Sequence, residues 1–126
     1  MEKKDYQEKL WKLRSEIIYD IMWLVNSNNG EIKIPYYYDE DDYNDEIESL
    51  IDDEYEVFVG KTYNNLSVTL INHCGYLIDA NIVALEIKNE RLNIITSKQD
   101  VYYISDVHNI SDLIMIYDKV YELLKK

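Results

Sequence analysis

The chain has 126 residues, 25 acidic against 13 basic side chains, and a formal net charge of −12. That length suits one domain, and a 47% apolar share lies in the ordinary globular range, which excludes disorder as the whole answer. A protein this negative repels nucleic acid and anionic membranes, so neither is expected as a direct partner.

The N-terminal segment predicts a long helix. Tyr6, Leu10, Leu13, Ile17, Ile21 and Leu24 recur at intervals of three and four, and Trp11, Ile18, Met22 and Val25 widen the stripe. So wide a stripe calls for more than one neighbouring surface, and a homodimer contact is one way to cover it. Asn26 to Gly30 ends the helix, because Gly30 can take left-handed backbone without a side-chain clash. Glu31 to Pro35 then alternates as a short strand, which Pro35 ends or places at a sheet edge.

Beyond the acidic stretch the period changes to two. Tyr55 to Val59 and Leu66 to Leu70 alternate about a turn at Lys61 to Asn65, which predicts a hairpin. Cys74-Gly75 marks a break. Ile82 to Lys88 and Arg91 to Thr96 flank Asn89-Glu90 as a second hairpin, and Val101 to Ile104 follows as a last strand. Leu113, Ile116, Val120 and Leu123 then share one face of a C-terminal helix, with Ser111 or Asn109 as its N-cap. Short turns between strands imply antiparallel pairing. The expected fold is α+β. A long N-terminal helix and a C-terminal helix pack on one face of a mostly antiparallel sheet of about five strands. Residues 1–126 are read as a single domain, with an acidic insert at about 36–54 after the first strand.

The charge is not spread evenly. Residues 34 to 60 hold 11 carboxylates and no basic residue, whereas the remainder carries 14 acidic and 13 basic side chains. Within the insert, Tyr43, Ile47, Leu50 and Ile51 fall at i, i+4, i+7 and i+8, so a short amphipathic helix is expected from about Asp39 to Glu54. On that helix Asp41, Asp45, Glu48 and Asp52 lie opposite the apolar face, with Asp42, Glu46 and Asp53 on one flank. Like-charge pairs one turn apart each cost about 0.2–0.5 kcal/mol, and no lysine relieves them. A one-sign patch that weakens its own helix is a place to look for function. Tyr36, Tyr37 and Tyr38 precede it, and three consecutive tyrosines cannot all face one core, so at least one is available for contact.

Other chemistry is sparse. His73 and His108 are the only histidines, and Cys74, next to His73, is the only cysteine. Adjacent residues on a strand point to opposite faces, so Cys74 is read as a small, partly buried strand-end residue rather than a nucleophile. Tyr55, Tyr102, Tyr103, Tyr117 and Tyr121 fit strand or helix patterns and are expected to pack. With three glycines there is no phosphate loop, and no zinc spacing occurs. Asp39 to Asp45 spaces its carboxylates somewhat like a calcium loop but lacks the glycine at position six and the glutamate at position twelve. No cofactor, no metal ligand and no catalytic residue is assigned. No apolar run approaches a membrane span, the start has no signal-peptide core, and a lone cysteine suits a reducing compartment, so a cytoplasmic protein is expected.

The functional expectation is a non-catalytic binding protein. Its acidic, tyrosine-flanked surface comprises Tyr36, Tyr37, Tyr38, Asp41, Asp42, Asp45, Glu46, Glu48, Asp52 and Asp53. Its partner is a basic protein. A small inhibitor of a nucleic-acid-binding enzyme, acting as a nucleic-acid mimic, or an immunity-type protein fits that description. The alternatives are a divalent-cation module, a small enzyme of unknown reaction, or a structural homo-oligomerising domain.

Overall fold

The computed structural model describes residues 3–61 and 64–125. Three helices accompany a five-stranded, mostly antiparallel sheet, the expected α+β arrangement. Helix α1 runs Lys3–Ser27. Its end follows the sequence: the Gly30 N–H donates to the Val25 carbonyl at 3.0 Å, with Gly30 at φ +79°.

The spine of the sheet is β5 (Leu77–Lys88). Strand β4 (Ser67–Ile71) pairs antiparallel with its N-terminal half, and β1 (Glu31–Lys33) with its C-terminal half. Strand β6 (Arg91–Thr96) pairs along its other side and β7 (Val101–Tyr103) follows, giving the order β1-β5-β6-β7. The β5–β6 turn is Asn89-Glu90 at φ 52° and 64°, the positive values that a tight hairpin needs to match strand twist. The β4–β5 turn is tied by Asn72, whose side-chain oxygen accepts the N–H groups of Cys74 and Tyr76 at 3.0 and 2.9 Å.

One expected pairing is absent. The runs around Tyr55–Val59 and Leu66–Leu70 do not form a hairpin. Instead β3 (Val57–Val59) lies parallel to β2 (Tyr36–Tyr38), with Tyr37 opposite Phe58, in a separate two-stranded ribbon. Parallel neighbours need a long crossover, and the acidic segment is that crossover. Strand β4 is left free to pair with Leu77–Asn81.

The two faces of the sheet are covered differently. On one, Ile21 and Val25 of α1 meet Leu113, Ile116 and Val120 of α3 (Ile110–Leu124) over Leu85, Leu92, Ile94 and Leu70. Asn109 caps α3, accepting the Asp112 N–H at 2.8 Å. On the other face Leu50, Val83, Ala84 and Ile95 form a second cluster, flanked by Tyr36, Tyr55 and Val57. The apolar stripe of α1 is only half used. Ile21 and Val25 are buried, but Tyr6, Leu10, Trp11 and Leu13 are exposed. Among the described residues no helix is long and apolar enough to cross a membrane.

Candidate functional site

The acidic segment folds as a 3₁₀ turn at Glu40–Asp42 followed by helix α2 (Asp45–Asp52), not as one helix from Asp39 to Glu54. The break is set by Asn44. Its side-chain oxygen accepts the Ile47 N–H at 3.1 Å, so the helix starts there and Tyr43 stays outside it. The expected apolar face narrows accordingly. Ile47 and Leu50 are buried, whereas Tyr43 and Ile51 are 49% and 44% exposed. Leu50 anchors α2 against Val83, Ala84 and Ile95. At the other end the Tyr55 N–H donates to the Leu50 carbonyl and the Glu54 N–H to Ile51, with Glu54 at φ +63°. This is the six-to-one and five-to-two closure that usually carries glycine.

Six of the ten candidates are exposed. Asp41, on the turn, and Asp45, Glu48 and Asp52, on α2, are exposed. Asp42 is exposed beside Asp41. With Asp39, Glu40, Asp41, Val59, Gly60 and Lys61 it lines an open cleft of about 690 Å³.

The other candidates have structural partners. Asp53, also exposed, accepts a hydrogen bond from the Gln99 side-chain amide, and the Ser49 hydroxyl donates to the other end of that group at 3.0 Å. Gln99 therefore clamps two successive turns of α2 onto the β6–β7 turn. Glu46 and Tyr36 are half-buried in a smaller cleft of about 260 Å³ with Asp79, Asp100, Thr96, Ser97 and Lys98. That volume falls below the roughly 300–1,000 Å³ of ordinary small-molecule sites. Burial first, then the Glu46 carboxylate, raises the pKa of the Tyr36 phenol, which the Ser97 hydrogen bond partly offsets.

Tyr37 and Phe58 pack across the ribbon with tilted rings, centroids 5.7 Å apart, and Tyr38 leans on Tyr43 at 5.9 Å. Gly60 leaves room for this packing, and any larger residue there would push the Tyr37 ring. A methyl group there would sit 3.0 Å from the Tyr37 ring. The tyrosine row is thus half-buried on every member rather than freely displayed.

Several smaller readings also change. Cys74 is exposed on the β4–β5 turn, not partly buried at a strand end. His73 stacks on Tyr102 at 6.1 Å. Tyr102 is buried, but Tyr103 and Tyr121 are exposed beneath the cations of Arg91 and Lys125 at 5.1 and 5.2 Å. Among the described residues no three His, Cys, Asp or Glu side chains converge where a metal ion could be held. Three features escaped the sequence reading. They are the Gln99 clamp, the cleft that turns Tyr36 and Glu46 inward, and Asn65, whose amide holds the main chain of Tyr37. A local signal exists only for the Asn44 cap, since asparagine readily bonds backbone a few residues on, whereas Asn65 bonds main chain 28 residues away.

No protein-family model, no curated protein and no solved structure matches the chain.

Proposed function

We propose that this protein is a non-catalytic binding module that offers an acidic face to a basic protein. One observation carries the reading. Asp45, Glu48 and Asp52 stand exposed on α2, which Ile47 and Leu50 anchor from behind, and Asp41 stands exposed on the turn that precedes it, in a stretch from 34 to 60 with no base of its own. Carboxylates on an anchored scaffold steer encounter and reject wrong partners more than they add affinity. A basic nucleic-acid-binding enzyme is one such partner, with the acidic row taking the place of phosphates.

The test neutralises the face with Asp41→Asn, Asp45→Asn, Glu48→Gln and Asp52→Asn together. The melting temperature should hold or rise, because like-charge neighbours are removed. Capture of basic proteins from a lysate at moderate salt should be lost. Unchanged capture would rule out this face as the interface.

A second reading, self-association, is favoured by a different feature. Trp11, Tyr19 and Trp23 lie on one ridge of α1 at four- and eight-residue spacing, and both tryptophans are 71% exposed. Light scattering over a range of concentrations decides it. A monomer at every concentration removes that reading.

A further inference from the structure

The β2–β3 ribbon has two edges, and they are finished differently. On β2 the outward main chain of Tyr37 is already taken. Its N–H donates to the Asn65 side-chain oxygen at 2.7 Å, and its carbonyl accepts from the Asn65 amide at 2.8 Å. On β3 the phase of the ladder is set by the Tyr36 N–H to the Glu56 carbonyl and the Gly60 N–H to the Tyr38 carbonyl, at 2.9 and 2.8 Å. Glu56, Phe58 and Gly60 therefore turn their main chain toward β2, and Val57 and Val59 turn theirs away. Among the described residues no donor or acceptor meets those outward groups of Val57 and Val59. Of the two residues that form this edge, Val59 is 63% exposed and Val57 is half-buried against the second cluster.

Resting on the acidic-face reading above, we propose that the outer edge of β3 receives an extended basic segment of the partner as an added strand. An open edge is a template for any strand, so charge must choose the occupant. A second copy with its Val59 opposite Val57 would set Glu56 opposite Gly60, which shares a cleft with the carboxylates of Asp39–Asp42, and that like charge opposes edge-to-edge pairing. A basic strand meets the opposite sign at both ends. In antiparallel register, partner residues opposite Val57 and Val59 exchange four main-chain hydrogen bonds and lay apolar side chains on the valine face. The residue between them lies on the Tyr37–Phe58 face, where a lysine or arginine gains cation–π contact. A basic residue beyond Val59 reaches the cleft lined by Asp39, Glu40, Asp41 and Asp42, whose four carboxylates outweigh Lys61.

The pattern defines a probe, the capped peptide Lys-Val-Lys-Val-Lys. It should bind the full chain and slow amide exchange at Val57 and Val59. A version N-methylated on both valines keeps the charge but loses two donors, and should bind about tenfold more weakly or worse. Val59→Pro removes one donor at an edge that tolerates proline, and should weaken the parent peptide by about three- to tenfold with the melting temperature retained. Equal affinity for the two peptides overturns strand addition whatever the variant does, and leaves the acidic face as a purely electrostatic surface. No binding of either peptide also overturns it. The lysate capture by the neutralised variant then decides separately whether the face itself binds a partner.

Discussion

A single side-chain amide, that of Asn65, stands where a third ribbon strand would run. It satisfies both outward main-chain groups of the part-buried Tyr37. Asn65→Ala should therefore cost about 1–2 kcal/mol, since it strands a donor and an acceptor together. Asn65→Asp should do no better, because a carboxylate keeps the acceptor, loses the donor and faces the Tyr37 carbonyl. Urea unfolding of the two variants checks this. The tyrosines near the acidic segment make a second residue-scale prediction. Burial and then Glu46 raise Tyr36, and burial and then Asp53 raise Tyr55. Loss of solvation, followed by Glu48, raises Tyr43 in the same direction. Below the unfolded value of 10.0 both states are protonated and stability is complete. Above it the unfolded chain ionises first, so stability falls as pH climbs through the folded values. Melting temperatures from pH 9 to 11, followed with tyrosinate absorbance, should drop with rising pH. Tyr36→Phe and Tyr55→Phe together should flatten the fall.

At the scale of elements, α2 closes on a residue poorly suited to its place. Glu54 sits at φ +63° in the position that favours glycine, and it adds a negative charge at the negative end of the helix. Glu54→Gly should stabilise the protein by about 0.5–1 kcal/mol, a rise of roughly 2–6 °C by thermal melting. The Lys33 ammonium, which donates to the Glu54 carbonyl at 2.7 Å, loses nothing by the exchange. A lower melting temperature would mean that the Glu54 side chain holds the turn. Elements governed by near neighbours in sequence were the legible ones. The three- and four-residue rhythm placed α1 and α3, and Asn89-Glu90 placed the β5–β6 turn. Rhythm alone extends the acidic helix too far, because it runs on through Tyr43, whereas the Asn44 cap starts the helix after it. The β2–β3 pairing could not be read at all. Alternation shows that Val57 to Val59 is a strand, but it is the same whichever strand lies beside it. Among the candidate site residues, exposure of Asp45, Glu48 and Asp52 follows from helical projection, whereas Asp41 lies on the 3₁₀ turn outside the helix that the projection assumes. The inward turn of Tyr36 and Glu46 does not follow from it, since Asp79, Asp100 and Lys98 reach that cleft from distant parts of the chain.

Across the whole molecule the net charge resolves into two nearly independent parts. Residues 34 to 60 carry −11 and the rest −1. The repulsion is concentrated in one crossover, so its cost falls on α2, the turn at Glu40–Asp42 and the ribbon they join. Little of it falls on the main core under α1 and α3. Exposed charges within a Debye length interact, and that length shrinks from about 30 Å at 0.01 M salt to about 10 Å at 0.1 M. Added salt should thus have opposite effects on folding and on binding. Screening relieves the self-repulsion, so the melting temperature should rise with sodium chloride from about 0.01 to 0.2 M. The same screening weakens attraction to a basic partner, so association should slow over that range. The neutralised variant with Asp41→Asn, Asp45→Asn, Glu48→Gln and Asp52→Asn separates this from general salt effects. Its melting temperature should start higher at low salt and respond less to added salt. If both proteins respond alike, the repulsion is not centred on this face, and the carboxylates are no more than a solvated surface.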